Sequence, residues 1–370
     1  MKGTKTKAFI EKTLMQKGIP YLDICVSKGG ETLFRDFYGE ETTGKELLFM
    51  WSMSKPLTVV GVMKLVEEGK LSLDDPVEKY IPTYANTFLL DENGNRVPTK
   101  NKMTVRHLFT MSGGLTYNGG TDPILAVKAK KDACTLDFVK AFVETPLSFE
   151  PGERFQYSLC HDVLAAVAEV VSGKRFSQYM QDVLFAPLGM ENTGYHLERT
   201  CAVKAQCRVS CDGEVKPTND NNGLIFGDNY DSGGAGVLAT VDDYVKFAKM
   251  LARGGVSVDG KRIIKEETLE LIRSPQCAHM NVQNTFTCIQ GDDYAYGLGM
   301  RTRKAPTAWG LPIGEYGWDG AAASYLMVDP VNGVSVVIGM NMLDWTNNFA
   351  DGHLRIVEKV YADLHDEGIL

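Results

Sequence analysis

Strand-like and helix-like patterning is segregated along this chain, and the segregation restricts the folds open to it. Two runs rich in β-branched and aromatic residues, Tyr21 to Val26 and Thr32 to Tyr38, flank Lys28-Gly29-Gly30, which reads as a hairpin turn. The next clear strand candidates come only at Tyr294 to Arg301, Ser324 to Val328 and Val334 to Met340. Helical periodicity fills the middle. Thr104 reads as the N-cap of a short helix stopped by Gly113-Gly114, and Leu136 to Val143 is another helical run. Val163, Leu164, Val167, Val170 and Val171 share one face of a strong helix closed by Gly173. Thr240-Val241-Asp242-Asp243 opens a helix running to about Arg253, and further helices are expected over 5–17 and 348–364. The Asn-, Asp- and Gly-rich stretch 201–235 reads as a long loop lining a site. The economical architecture is one mixed α/β domain over 1–370. Its sheet part takes 1–70 and 236–370, and a mainly helical lobe, 71–235, is inserted after Leu71-Ser72-Leu73-Asp74-Asp75-Pro76.

The apolar run Leu47 to Trp51 leads into Ser52-Met53-Ser54-Lys55, the one Ser-x-x-Lys of the chain. An amphipathic helix is expected to follow, with Val59, Val62, Met63 and Val66 at helical spacing and Gly69 ending it. Residues i and i+3 lie on one helix face, so Ser52 and Lys55 sit side by side. A serine hydroxyl needs an adjacent proton acceptor at neutral pH, and a lysine serves when burial lowers its pKa. A serine at a helix start also offers an unpaired backbone N–H to a developing oxyanion.

Composition excludes other classes. With 370 residues, 44% of them apolar and 23% charged, a sizeable core is available. A net charge of −8 without a basic run argues against nucleic-acid binding. No apolar run near Ser52 is long enough to span a membrane, and Glu11, Lys12 and Lys17 interrupt any signal-like segment, so the chain is expected in the cytoplasm. The eight cysteines are expected as thiols. Cys201, Cys207 and Cys211 cluster at spacings that match no zinc pattern, so neither metal nor cofactor is expected. None of the six histidines stands in a triad-like motif; His107 and His161 fall in helical patterns and read as structural.

Singly, Tyr157 reads as a turn tyrosine and Trp318 as a strand aromatic. Together, Ser52-Met53-Ser54-Lys55, Tyr157-Ser158 and Trp318-Asp319-Gly320 resemble, in order and spacing, the three active-site motifs of the serine β-lactamase and penicillin-binding-protein superfamily. The branch it resembles holds class C β-lactamases, D-Ala-D-Ala carboxypeptidases and family VIII carboxylesterases, and the likeness covers about residues 5–365. The resemblance implies an antiparallel sheet flanked by helices and an acyl-enzyme on Ser52. Lys55 and Tyr157 would share the proton work, with the tyrosine as a candidate phenolate; which of the two is the base stays open. The oxyanion hole would be the backbone N–H groups of Ser52 and Ala321. Trp318, Asp319, Gly320 and Leu159 would contact substrate, Gly320 leaving room for it along the strand edge. The sequence departs from the family where Leu159 replaces a common Asn and Trp318-Asp319 replace Lys-Thr, which removes a cation and adds an anion. These departures favour a small-molecule ester over a β-lactam. A β-lactamase, a D-Ala-D-Ala carboxypeptidase or D-aminopeptidase-like hydrolase, and a non-catalytic binding protein of the same fold are the alternatives.

Overall fold

Alternating apolar residues at both chain ends meet in one antiparallel sheet. The computed structural model describes residues 1–39, 42–197, 203–210, 213–218, 221–278, 280, 292–343 and 352–370. Among them the sheet has seven strands: β1 Leu22–Lys28, β2 Glu31–Tyr38, β3 Tyr294–Tyr296, β4 Arg301–Arg303, β5 Tyr316–Asp319, β6 Tyr325–Asp329 and β7 Val334–Met340. Their spatial order is β2-β1-β7-β6-β5-β4-β3, so β1 from the N-terminal part pairs directly with β7 from the C-terminal part.

Successive strand residues point to opposite faces, which gives the sheet two cores. Val334, Val336, Ile338 and Met340 join Tyr325 and Met327 in a cluster with the helices α1 Thr4–Phe9 and α5 Gly352–Asp366. Val337, Leu326, Val328 and Trp318 face the larger cluster, which holds α2 Ser54–Glu67, α3 Cys160–Ser172 and α4 Val241–Ala252. Asp363 of α5 fastens the two chain ends together by accepting hydrogen bonds from the backbone N–H groups of Lys5 and Thr6 and from the Thr6 hydroxyl.

Local signals place most helices where the sequence puts them. Thr104 caps a short helix, Val105–Phe109, with His107 returning the bond to the Thr104 N–H. Thr240 accepts from the Asp243 N–H at the head of α4. Gly173 ends α3 at φ 68°, a left-handed position that glycine takes without strain.

Three expectations are revised. The run from Tyr294 to Arg301 is not one strand but folds back on itself as β3 and β4. Gly297, where a side chain would meet the Ile272 carbonyl oxygen at 2.1 Å, and Gly299, at φ 78°, make the reversal. The helix after Ser52 is not amphipathic: every residue from Ser54 to Met63 is buried, so α2 runs through the core rather than over it. The loop 201–235 includes a small hairpin, Cys207–Val209 with Val215–Pro217.

Candidate active site

The site starts with a forced turn. Trp51 holds φ at 48°, an unusual value for a bulky side chain, and a single 3-10 turn over Trp51–Met53 then feeds α2. Neighbours fix this turn from several sides. The Trp51 indole N–H donates to Gln206 Oε1 at 2.7 Å, the Met50 N–H to the Val237 carbonyl at 3.0 Å, and the Tyr244 hydroxyl to the Met53 carbonyl at 2.7 Å. Such over-determination is what lets a strained backbone persist.

Lys55 lies in the first turn of α2 with no exposed surface. Its Nζ donates to Ser52 Oγ at 3.0 Å and to the Gly234 carbonyl at 2.7 Å. The i, i+3 neighbourhood expected from the sequence is therefore a hydrogen bond. Burial pulls the ammonium down to about 7, against the opposing pull of Asp162, Asp319 and Cys160.

Gly234 reaches Lys55 because Ser232-Gly233-Gly234-Ala235-Gly236 lies flat on the first turn of α3. A side chain at Gly233 would meet the His161 carbonyl oxygen at 2.3 Å, and one at Gly234 would meet Asp162 Oδ2 at 2.8 Å. The Thr58 hydroxyl of α2 also donates to the Gly233 carbonyl, at 2.7 Å.

Tyr157 stands on the turn before α3. The Gln156 N–H donates to the carbonyl of Met111, itself at φ 54°, and Gln156 Nε2 donates to the Leu115 carbonyl. The Tyr157 ring lies under Lys55 Nζ, 4.6 Å from nitrogen to centroid. Its hydroxyl accepts from Trp318 Nε1 at 2.9 Å. Burial pushes the phenol well above its ordinary value, and the hydrogen bonds from Ser52 and Trp318 do not reverse that. The phenolate expected beside a lysine cation thus meets a larger desolvation penalty.

On β5, alternation separates the two residues of the third motif. Trp318, 3% exposed, faces Tyr157 and Tyr296. Asp319 pairs in register with Tyr325 on the opposite face, where its Oδ1 lies 3.9 Å from Nη1 of the buried Arg301. A side chain at Gly320 would meet the Met50 carbonyl oxygen at 2.4 Å. That contact brings the exposed Ala321 beside the turn that carries Ser52. Leu159 is 2% exposed, sits at the N-terminal end of α3 and brings no polar side-chain atom to the site.

Residues 7–360, nearly all of the chain, match the family profile described as Beta-lactamase. The chain belongs to the beta-lactamase family. An uncharacterised protein of Mycobacterium tuberculosis is 26% identical over 86% of this chain and 80% of its own length. Esterase EstB of Burkholderia gladioli is 26% identical over 92% of this chain and 90% of its own. Among solved structures, EstCE1, described as a hydrolase with promiscuous acyltransferase activity, superposes with a TM-score of 0.79 at 22% identity, covering 97% of this chain and 98% of that one.

Within this beta-lactamase fold the remaining candidates take plainer roles. His161 is buried, its ring nitrogen 3.4 Å from the Phe109 carbonyl oxygen, and burial pushes it down to about 3. Of the cysteine cluster, Cys207 is buried, while Cys201 and Cys211 lie outside the described residues. No group of three or more His, Cys, Asp or Glu side chains is arranged to hold a metal among the described residues, and no helix there is long and apolar enough to cross a membrane. The sequence reading missed Asp162. Its signal was a carboxylate next to the apolar stripe of α3, five residues after Tyr157.

Proposed function

We propose that the chain is a serine hydrolase that forms an acyl-enzyme on Ser52 and takes small carboxylic esters as substrates. The observation that carries this reading is the 3.0 Å contact between Ser52 Oγ and a fully buried Lys55 Nζ whose proton affinity is matched to neutral pH. Neutral Lys55 takes the Ser52 proton as Oγ attacks the acyl carbon. The oxyanion forms against the backbone N–H groups of Ser52 and Ala321. Collapse expels the alcohol, which receives the proton from Lys55 by way of the Tyr157 hydroxyl. Water then repeats the sequence on the acyl-enzyme. Lys55 is the base in this scheme and Tyr157 a neutral relay, because the phenol stays protonated at neutral pH.

Ester preference is supported by what stands where a carboxylate or acylamino group would bind. Trp318 spends its N–H on Tyr157, and Leu159 is sealed in the core. The relative EstB is named an esterase.

A fluorophosphonate followed by mass spectrometry tests the reading. The adduct is expected on Ser52, and Ser52→Ala should neither label nor turn over. That substitution deletes one hydroxyl, so stability should change by at most about 1 kcal/mol, while hydrolysis falls by orders of magnitude. An unlabelled wild type would favour the binding-protein alternative. Hydrolysis by Ser52→Ala near the wild-type rate would end the proposal.

A further inference from the structure

Asp162 is 1% exposed, in the first turn of α3. Two hydroxyls fix one side of its carboxylate: Tyr230 Oη donates to Oδ1 at 2.8 Å and Ser232 Oγ at 2.6 Å. The other oxygen, Oδ2, is buried without a hydrogen-bond partner. It faces Gly234, where the site of the missing side chain lies 2.8 Å from Oδ2 and 3.5 Å from Lys55 Nζ. Carboxylate and amine therefore flank the same spot, which only a glycine leaves open.

Burial raises the Asp162 carboxyl above its ordinary value, and the Ser232 and Tyr230 hydroxyls, the Lys55 charge and the Gly234 N–H oppose that and favour the ionised form. Among the described residues, the other groups near Lys55 are neutral or, like Asp319, act on it less strongly. The Tyr157 and Tyr117 rings lie 4.6 and 5.9 Å from Nζ, and burial keeps both phenols protonated. Burial pushes the Cys160 thiol up to about 11 and leaves His161 uncharged. Asp319 faces Arg301 across 3.9 Å. Of the carboxylates that act on Lys55, Asp162 pulls hardest, ahead of Asp319.

We infer that Asp162 is a positioning residue, a fixed counter-charge behind Lys55 that aims its amine at Ser52 and holds the proton there until the leaving group takes it. The inference rests on the hydrolase reading above. The proton passes from Ser52 Oγ to Lys55 Nζ and, by way of the Tyr157 hydroxyl, on to the alcohol; Asp162 neither gives nor takes one. The counter-charge adds to the Gly234 carbonyl, Ser52 and the ring faces of Tyr157 and Tyr117 in stabilising the ammonium formed during attack.

The test is kcat/KM against pH for p-nitrophenyl acetate with wild type, Asp162→Asn and Ser232→Ala. Asparagine keeps the shape and removes the charge. Ser232→Ala keeps the carboxylate, weakens its hold on an ionised form, and decides the matter if Asp162→Asn is too unstable to assay. Losing a counter-charge makes Lys55 easier to deprotonate, so the acid limb should move to lower pH, by about one unit in Asp162→Asn and less in Ser232→Ala. The plateau kcat of Asp162→Asn should fall by roughly tenfold or more, since the amine becomes a weaker base and is less well aimed. A structural role would lower the melting temperature and leave the limb in place. Limbs that coincide with wild type in every folded variant overturn the role of Asp162, with the hydrolase reading intact. A wild type that neither hydrolyses the ester nor takes the fluorophosphonate overturns the hydrolase reading itself.

Discussion

A lysine with no exposed surface is the residue of this site that costs most to bury, and in the proposed mechanism that cost tunes it as the base. In water Lys55 would be protonated up to about pH 10.4; in the folded chain burial brings it to about 7. Catalysis needs the neutral amine, so kcat/KM should rise as pH increases through about 7, read with any chromogenic ester. A profile flat from pH 5 to 9 would contradict Lys55 as the base. Stability carries a mark of the same shift. Between about pH 7 and pH 10.4 the unfolded chain binds the extra proton, so stability climbs with pH across that window, and the full penalty remains below it. At 1.36 kcal/mol per unit the penalty is at most about 5 kcal/mol, and a Gly234 carbonyl left without its donor takes back about 1–3 kcal/mol. Lys55→Met should therefore be inactive yet melt above wild type at pH 6. A clear drop in its melting temperature would mean that the amine's two hydrogen bonds outweigh its desolvation.

Elements supply the geometry through contacts that tolerate no side chain. The β5–β6 hairpin presses Gly320 onto the Met50 carbonyl, and the 232–236 stretch presses Gly233 onto the His161 carbonyl. Gly320→Ala should cost about 1–3 kcal/mol, since a rigid backbone atom stands 2.4 Å from the new carbon. Because that contact joins Ala321 to the Ser52 turn, kcat should fall more than KM rises. Urea midpoints with kinetics on the same preparation check both, and a stable, fully active variant would detach the hairpin from the oxyanion hole. Caps were legible in the sequence because they are local: Thr104, Thr240 and Gly173 act within a few residues of themselves. What the sequence concealed depends on partners far along the chain. The all-round burial of α2 is set by helices and strands on every side, and the reversal at Gly297 by the distant Ile272 carbonyl. The facing of Asp319 follows from strand alternation beside Trp318, yet its meaning needed Arg301 on the neighbouring strand. Asp162 stood next to an apolar stripe, and only the fold brings Gly234 and Lys55 opposite it.

At the scale of the whole molecule, three remote segments converge: Ser52 and Lys55 from the head of α2, Tyr157 from the entry to α3, and Trp318 from β5, an inner strand that the C-terminal part contributes. Their union determines which substrate gains from binding. A penicillin or cephalosporin presents a carboxylate and an acylamino group, and each needs a partner to hold it while the strained amide meets Ser52. Trp318 offers no cation in that place, and its N–H is engaged with Tyr157. Leu159 offers no polar atom. Asp319 adds less repulsion than its sequence position suggests, because it lies on the far face of β5 beside Arg301. The shortfall is therefore one of missing attraction. A charge-assisted hydrogen bond contributes roughly 1.5–3 kcal/mol, so losing one should lower β-lactam turnover by about tenfold to a hundredfold relative to a site that makes it. A short-chain aryl ester needs neither contact and carries a good leaving group. Measured on one preparation, kcat/KM for a p-nitrophenyl short-chain ester should exceed that for nitrocefin by at least about tenfold. If nitrocefin proves the better substrate, a cation must reach its carboxylate after all.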